Sequence, residues 1–459
     1  MLRKRILAIA LSSMIALSTV LTGCGGSTGS NSDTSGDNGG GQGSDKKATI
    51  THYTIGNQDK TWIKDVMPDF EKEHPNIKMK FMAVPYENFD TKLTTMVASG
   101  NPPDVTSHYG AGGFVEYLSK DMIMDLTPIM QKANYIPSEA GIPDNLTNIY
   151  KVDGKYYGIP VSAYVSALFY NKDLFDKAGV PYPTSDYEDK SWTFDAMVAL
   201  AEKVTTGTGS LENRTFGLKF DEWGDRDIRP LYFGAKVYSD DTWTNGGYPS
   251  ENYFGSQECI AASQRLVDLI YKDKVSPTQA EVKALAASGD TFTSGKLAMY
   301  VTGAWALSYA KDVSFKVGVA AVPNGGNDKA RDVIYVDPLM ILKGSKAPDA
   351  AFEWIQYLTS KEVQEIALEK AYNPPANEQA LEKYFSSIKG VDPEDMKNIY
   401  EGGLKYGTET TGHMVTCASQ VITIINNEMS QVDNQGGKVD EYCKTAQEKI
   451  NKVLKQNKK

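Results

Sequence analysis

The stretch from Lys151 to Gly179, KVDGKYYGIPVSAYVSALFYNKDLFDKAG, decides how the rest of the chain is arranged. Its first residues are polar and include Asp153–Gly154, a dipeptide typical of tight hairpins. Pro160 then excludes a helix, because proline has no N–H to donate and biases the preceding residue towards extended backbone. The segment Val161–Tyr170 carries no charge and is rich in β-branched and aromatic side chains. This composition predicts a strand covered on both faces, and Asn171 is placed to cap a short helix after it.

The amino terminus has the pattern of a secretory leader. Basic residues stand near its start, and an uncharged, mostly apolar run, Ile6–Leu21, follows them. This run is too short for a membrane span. The leader ends in Leu-Thr-Gly before Cys24, which resembles the lipobox of bacterial lipoproteins. We therefore expect residues 1–23 to be removed and Cys24 to carry lipid; the alternative is ordinary cleavage beside an incidental cysteine.

The next segment, residues 24–47, is predicted to be the lipidated cysteine followed by a tether. Residues 25–47 are rich in Gly and Ser and lack any apolar side chain. Such a segment buries too little surface to order itself, and its root-mean-square reach is about 25 Å. The tether would separate a membrane anchor from a folded body.

The body that begins near residue 48 is too long for one typical core, which predicts two lobes. The whole chain has 48 Lys and Arg against 58 Asp and Glu, a formal net charge of −10. Loss of the three basic residues of the leader would bring the mature chain to about −13 (−10 − 3). This charge argues against nucleic acid as a partner and against charge-driven binding to anionic lipid.

The cysteines and histidines show no metal-binding pattern, and we expect neither a cofactor nor a metal. Cys259, Cys417 and Cys443 remain besides Cys24, and an odd number permits at most one pair. Either Cys417 and Cys443 bridge adjacent helices, or all three thiols are buried and unpaired. No Cys/His spacing fits zinc.

Six stretches occur in an order typical of one protein family. They are FEKEHPNIKMKFMAVP (70–85), KLTTMVASGNPPDV (92–105), GIPVSAYVSALFYNKDLFDKAG (158–179), FTSGKLAMYVTGAW (292–305), VIYVDPLMIL (333–342) and AFEWIQYLTSKEVQEIALEKAYNPP (351–375). Together they resemble the extracellular solute-binding proteins of ABC importers, the family that includes maltose-binding protein.

The resemblance implies an α/β, periplasmic-binding-protein-like fold, in which two α/β lobes joined by a hinge hold the ligand in the cleft between them. We expect residues 48–160 and 336–375 in lobe 1, and residues 161–335 and 376–459 in lobe 2.

Polar residues after the first strands are candidates for the ligand cleft, because ligands bind beyond the carboxyl ends of strands in open α/β sheets. Asn57, Gln58 and Asp59 follow the first predicted strand, in a loop that the family uses. His108 and Tyr109 follow a later one, and Tyr109 offers an aromatic face with a hydroxyl. The alternatives are a solvated turn for the first loop and a structural hydrogen bond for His108.

The resemblance implies further candidates at the crossings between lobes. Tyr164 lies where the family commonly places a ligand contact, and Trp305 stands at the family's stacking position; for both, the alternative is a core aromatic. Asp337 interrupts an apolar run, so it either faces the cleft or caps a turn. Tyr372, near the hinge, and His413, before a predicted helix, complete this group.

A second cluster, Trp223, Asp225 and Arg226, follows the strand predicted at Phe216–Phe220. A tryptophan ring stacks on the C–H face of a pyranose, and charged side chains form hydrogen bonds with its hydroxyls. The cluster is therefore either part of a sugar site or an exposed acidic loop.

Together with the family resemblance, these features predict a lipid-anchored receptor on the extracellular face of the membrane. It would capture a small solute and, as the resemblance implies, deliver it to ABC permease subunits. The aromatic and polar candidates favour a sugar or oligosaccharide as the solute. One alternative is an extracellular carbohydrate-active enzyme, which needs two carboxylates at a defined separation. No sequence signature pairs two such acids, and no nucleophile elbow, HExxH or P-loop is present. Another alternative is a sugar sensor that signals to a membrane kinase.

Overall fold

The uncharged segment at the centre of the sequence is the strand through which the whole sheet is connected. In a computed structural model it spans Ile159–Asn171, and every residue in it is buried except Tyr164, which is half-buried. The described residues are 47–56, 61–109, 112–220, 226–243, 245–286, 291–311, 313–325, 331–409 and 414–458. The predicted leader, Cys24 and the tether lie outside them.

The strands, numbered in chain order, are β1 (Ala48–Ile55), β2 (Ile77–Val84), β3 (Val105–Thr106), β4 (Lys151–Val152), β5 (Lys155–Tyr156), β6 (Ile159–Asn171), β7 (Phe216–Phe220), β8 (Leu297–Gly303), β9 (Val317–Ala320), β10 (Asp332–Ile341) and β11 (Gly407–Glu409). The α-helices are α1 (Trp62–Glu73), α2 (Phe89–Ala98), α3 (Gly113–Ser119), α4 (Thr127–Lys132), α5 (Asp144–Thr147), α6 (Lys172–Ala178), α7 (Phe194–Val204), α8 (Gln257–Tyr271), α9 (Gln279–Ala286), α10 (Pro348–Leu358), α11 (Lys361–Ala371), α12 (Leu381–Phe385), α13 (Pro393–Tyr406), α14 (Ala418–Gln435) and α15 (Val439–Asn457).

Local sequence signals explain the elements around β6. β4 and β5 form the predicted hairpin, and Asp153 and Gly154 both have positive φ, as a tight hairpin turn requires. After β6, the side chain of Asn171 accepts a hydrogen bond from the Leu174 amide and begins α6. Gly179 ends α6 in the left-handed conformation, with φ of 66°.

The main sheet is mixed, with the order β2-β1-β3-β10-β6-β8-β7. β11 pairs with β10, and β9 pairs with β6. β6 changes partner along its length: Ile159–Val165 pairs with β10, whereas Ser166–Tyr170 pairs with β8. β6 therefore joins β10 to β8 within the sheet, and β10 joins β6 to β3. We call β6 and β10 the crossing strands.

The buried apolar side chains follow the same division. Two core clusters collect residues from β1, β3 and the first half of β6, while a third begins at Val165 and takes in β7, β8 and β9. Trp354 on α10 is fully buried in one of the first two clusters, and Phe216 on β7 is fully buried in the third.

The three cysteines of the described residues, Cys259, Cys417 and Cys443, are buried free thiols. The bridge between Cys417 and Cys443 that the sequence left open therefore does not form in this structure.

Candidate functional site

The two crossing strands bring four side chains to one face of the sheet. Tyr335 of β10 lies opposite Tyr164 of β6, and Asp337 lies opposite Ser162. Directly opposed residues of an antiparallel pair share a face, and so do residues two apart on one strand. We call these four residues, with Trp305, the crossing-strand wall.

Trp305 covers the aromatic part of this wall. It follows β8 in a 3-10 turn, Ala304–Lys311. Its ring centroid lies 4.9 Å from that of Tyr335 in an edge-to-face arrangement and 5.7 Å from that of Tyr164. All three aromatic residues are half-buried, so each can present apolar ring surface to a bound molecule.

Gly303 is the residue that lets the Trp305 indole lie where it does. A Cβ atom built on Gly303 would overlap the six-membered ring of Trp305. We expect Gly303→Ala to displace the indole and to weaken solute binding by at least about tenfold, because a stacking surface that moves by an ångström no longer matches its ligand. Isothermal titration with the solute measures the loss.

A double-mutant cycle tests whether the effect of Gly303→Ala depends on the Trp305 ring. In a Trp305→Ala background the added methyl group meets no ring, so Gly303→Ala should cost less stability there than in the parent chain. Equal costs in the two backgrounds would show that the glycine is needed for another reason.

Asp337 supplies the charge of the wall. Its carboxylate is half-buried and accepts a hydrogen bond from the Ser162 hydroxyl at 3.2 Å. Burial raises the pKa of Asp337 to about 7, and the Ser162 hydrogen bond opposes this shift only in part. The backbone register slips by one residue between Asp337 and Pro338, a bulge of the kind that redirects side chains next to binding sites.

Tyr164 connects the wall to the segment after α11. Its hydroxyl donates to the side-chain oxygen of Asn373 at 2.6 Å. The preceding residue, Tyr372, ends α11 in the left-handed conformation with φ of 51° and is half-buried. Tyr109, three residues after β3, is also half-buried, and its ring stands edge-on to Phe89. The negative charge of Asp337 adds to burial in raising the pKa of both Tyr109 and Tyr164, which places Asp337 electrostatically close to both.

His108 has partners inside the protein. It is 3% exposed, and its Nε2 atom lies 2.9 Å from the Tyr150 hydroxyl and 3.0 Å from the Val336 carbonyl oxygen. Burial lowers the pKa of His108 to about 4, so the ring is neutral at neutral pH. These contacts favour the structural hydrogen bond that the sequence analysis left open, and contact with a solute stays a prediction.

Arg226 is likewise engaged within the protein. Its guanidinium contacts Asp433 at 2.6 Å and the Asn426 side-chain oxygen at 3.0 Å, both on α14. Arg229 binds both oxygens of the same carboxylate. The arrangement ties the segment after β7 to α14. The predicted candidates Asn57, Gln58, Asp59, Trp223, Asp225 and His413 lie outside the described residues and stay predictions.

Three further residues were not predicted from the sequence as candidates: Tyr335, Asn373 and Trp243. Trp243 stacks on Phe114 of α3 with ring centroids 5.7 Å apart. It also lines a cavity of about 500 Å³ together with Leu231, Val237, Tyr238, Thr408 and Met414. Thr408 pairs with Val333 on β10, so the cavity lies beside the crossing strand. Its size falls within the range of about 300–1,000 Å³ that is usual for small-molecule sites.

Comparison with known proteins identifies the family. Residues 55–365 match the model of the bacterial extracellular solute-binding proteins. The chain belongs to this family. The extracellular solute-binding proteins are defined by binding rather than by catalysis, which agrees with an arrangement that offers ring faces and hydrogen-bonding groups.

Two relatives and one solved structure illustrate the similarity. The mannitol-binding protein of Pseudomonas aeruginosa is 24% identical over 381 residues, which cover 75% of this chain and 80% of the relative. The galactooligosaccharide-binding protein of Bacillus subtilis is 23% identical over 321 residues, 68% of this chain and 69% of the relative. The ABC substrate-binding protein of Listeria monocytogenes in complex with cycloalternan superposes with a TM-score of 0.74 at 25% identity, over 89% of this chain and 99% of its own. This superposition confirms the predicted periplasmic-binding-protein-like fold.

Two further features of the described residues concern the membrane and metals. None of the helices in the described ranges combines the length and apolar composition that crossing a bilayer requires. Within the same ranges, no three His, Cys, Asp or Glu side chains are grouped to hold a metal ion.

Proposed function

We propose that this solute-binding protein captures a sugar or oligosaccharide outside the cell and delivers it to the permease subunits of an ABC importer, without transforming it. The observation that carries the proposal is the crossing-strand wall, where aromatic rings, hydroxyls and one carboxylate share a face. Rings stack on the C–H faces of a pyranose, and the polar groups form hydrogen bonds with its hydroxyls. The mannitol-, galactooligosaccharide- and cycloalternan-binding proteins support a carbohydrate ligand.

Capture would proceed by closure of two lobes about the crossing strands. We propose the predicted division, with residues 48–160 and 336–375 in lobe 1 and the remainder of the folded body in lobe 2. The change of core cluster at Val165 supports a boundary in β6. A sugar that contacts both lobes stabilises the closed form by its differential affinity, and the closed form would be the one that docks on the permease.

The amino terminus would hold this receptor at the membrane. We propose lipidation of Cys24, which rests on the leader and lipobox alone. Replacement Cys24→Ser removes the thiol that carries the lipid, and we expect the variant to move from the membrane fraction to the medium, because acyl chains supply the anchoring free energy. Fractionation of cells that express each form measures the change. A substitution of equal size in the tether, Ser27→Thr, should leave the protein at the membrane; release of both forms or of neither would contradict the anchor.

The solute itself is tested by thermal shift of the leaderless protein. The panel comprises neutral mono- and oligosaccharides, polyamines and phosphorylated sugars. A ligand that binds only the folded state at one hundred times Kd adds about 2.7 kcal/mol of stability, which is a measurable rise in melting temperature. A shift with one carbohydrate series that chromatography recovers intact supports the proposal. A shift confined to polyamines or phosphates would overturn the sugar, and breakdown of the stabilising sugar would show an enzyme.

A further inference from the structure

The charge of the crossing-strand wall comes from one residue. Asp337 is the only acidic or basic member of the wall as we have defined it. Its Oδ2 atom accepts the Ser162 hydrogen bond, whereas Oδ1 accepts no hydrogen bond from the described part of the chain. Asp337 also forms no ion pair with any residue in the described ranges. It is nevertheless half-buried, so part of its hydration has been removed without a compensating cation from the described residues.

The described side chains that contact Asp337 or share the wall with it are neutral. Ser162, Tyr164 and Asn373 offer hydroxyl and amide groups, and burial keeps His108 neutral at neutral pH. Arg226, which follows β7, binds Asp433. Arg331 immediately precedes β10, and its guanidinium lies 4.6 Å from the ring centroid of Tyr406.

From this arrangement we infer that Asp337 determines specificity by charge: it accepts hydrogen bonds from the hydroxyls of an uncharged sugar and excludes sugars that carry a carboxylate or phosphate. The inference rests on the proposed sugar-binding function and narrows it to neutral carbohydrates. A hydroxyl donates to Oδ1 and replaces the water that burial removed, and charge-assisted hydrogen bonds of this kind are about twice as strong as neutral ones.

An acidic sugar, in contrast, would be repelled by Asp337. Its negative charge would approach a second negative charge in a partly desolvated place, where screening by water is weak and the repulsion is correspondingly large. A like charge built against the wrong ligand is a common source of specificity. The wall would thus reject acidic sugars without any loss of contact area for neutral ones.

The experiment compares three forms of each probe by isothermal titration at pH 8, where Asp337 is ionised. The probes are maltotriose, mannotriose and galactotriose, each unmodified, oxidised to the C6 carboxylate on every ring, and as the methyl ester of that acid. The acid and its methyl ester have nearly the same shape and differ in charge. Every ring of the acid carries a carboxylate, so the ring that binds next to Asp337 is charged in either orientation of the sugar. We expect the wild-type protein to bind the ester at least about tenfold more tightly than the acid, a ratio set by the repulsion of two charges a few ångströms apart.

The variant Asp337→Asn tests whether the discrimination between ester and acid depends on the charge of Asp337. The amide keeps an acceptor for Ser162 and loses the charge, so the ratio between ester and acid should fall below about threefold. Asp349→Asn is the matched control, because it changes the net charge equally at an exposed carboxylate that pairs with Lys132 on the surface. This control should keep the wild-type ratio. Melting curves verify that both variants fold.

The outcomes separate this inference from the function on which it rests. Equal binding of acid and ester by the wild-type protein overturns the charge filter and leaves sugar binding intact. A ratio that persists in Asp337→Asn assigns the discrimination to another residue and also overturns the inference. If no form of any probe binds and no neutral sugar of the wider panel shifts the melting temperature, the proposed function itself fails.

Discussion

Replacement of Trp305 by alanine should weaken sugar binding at least about thirtyfold, the largest effect that we expect from any single side chain of the wall. Truncation of a central aromatic contact commonly costs 2 kcal/mol or more, with about 1.4 kcal/mol for each tenfold change in Kd. The Trp305 indole contacts both Tyr164 and Tyr335, so its loss also removes support from the two neighbouring rings. Isothermal titration with the sugar identified by thermal shift measures the change.

Two variants make the Trp305 result interpretable. Trp305→Phe keeps a ring over Gly303 and should lose less affinity than alanine. Trp62→Ala removes a half-buried tryptophan from α1, which packs against a different core cluster, and should leave Kd within about twofold. Retention of wild-type affinity by a folded Trp305→Ala protein would show that the sugar binds elsewhere.

The second large effect concerns stability in acid and centres on His52. His52 is 1% exposed on β1, and its Nδ1 atom accepts a hydrogen bond from Trp354 Nε1 at 3.0 Å. Burial lowers the pKa of His52 to about 3, from an unfolded value near 6.5. At a pH between these two pKa values, the His52 side chain is therefore protonated in the unfolded chain and neutral in the folded chain. The free energy of unfolding must then fall as pH falls below about 6.5, by about 2 kcal/mol between pH 7 and pH 5 from this one group.

His52→Asn isolates that contribution. The asparagine oxygen can accept from Trp354 Nε1, but the side chain does not titrate. We expect the stability of the wild-type protein relative to His52→Asn to drop by about 2 kcal/mol from pH 7 to pH 5 in urea unfolding. Asp337 has a raised pKa and contributes with the opposite sign, since its folded form holds the proton more tightly. This opposing contribution is common to both proteins and cancels in the difference. A difference that does not change with pH would contradict the buried, neutral histidine.

Local patterns were sufficient to predict much of the scaffold. The positive-φ turn at Asp153–Gly154, the uncharged strand β6 and the Asn171 cap each depend on a few adjacent residues. Helix α10 likewise begins at Pro348, which is favoured in the first turn of a helix because its missing N–H is not needed there. Such local patterns can be recognised without knowledge of the rest of the fold.

The composition of the wall could be predicted only in part. Tyr164, Trp305 and Asp337 were selected from position and family resemblance, and the structure brings all three together. Tyr335 and Asn373 were missed, because their place beside Tyr164 depends on the register of β6 against β10 and on the left-handed residue after α11. Neither is visible within a short window of sequence.

Two other candidates have partners within the protein that their local sequence does not reveal. His108 and Arg226 have residue types that suit a sugar site, but Tyr150 and Asp433 bind them from distant parts of the chain. A lone His or Arg in a loop gives no sign of such a partner. The stacking of Trp243 on Phe114 is a similar long-range contact, between residues far apart in sequence.

The most direct test of the account is a crystal structure of the leaderless protein with the neutral sugar that most raises its melting temperature. The account predicts a pyranose ring packed on the Trp305 indole, with a sugar hydroxyl within hydrogen-bonding distance of Asp337 Oδ1. A sugar bound at a place that contacts neither Trp305 nor Asp337 would contradict the account.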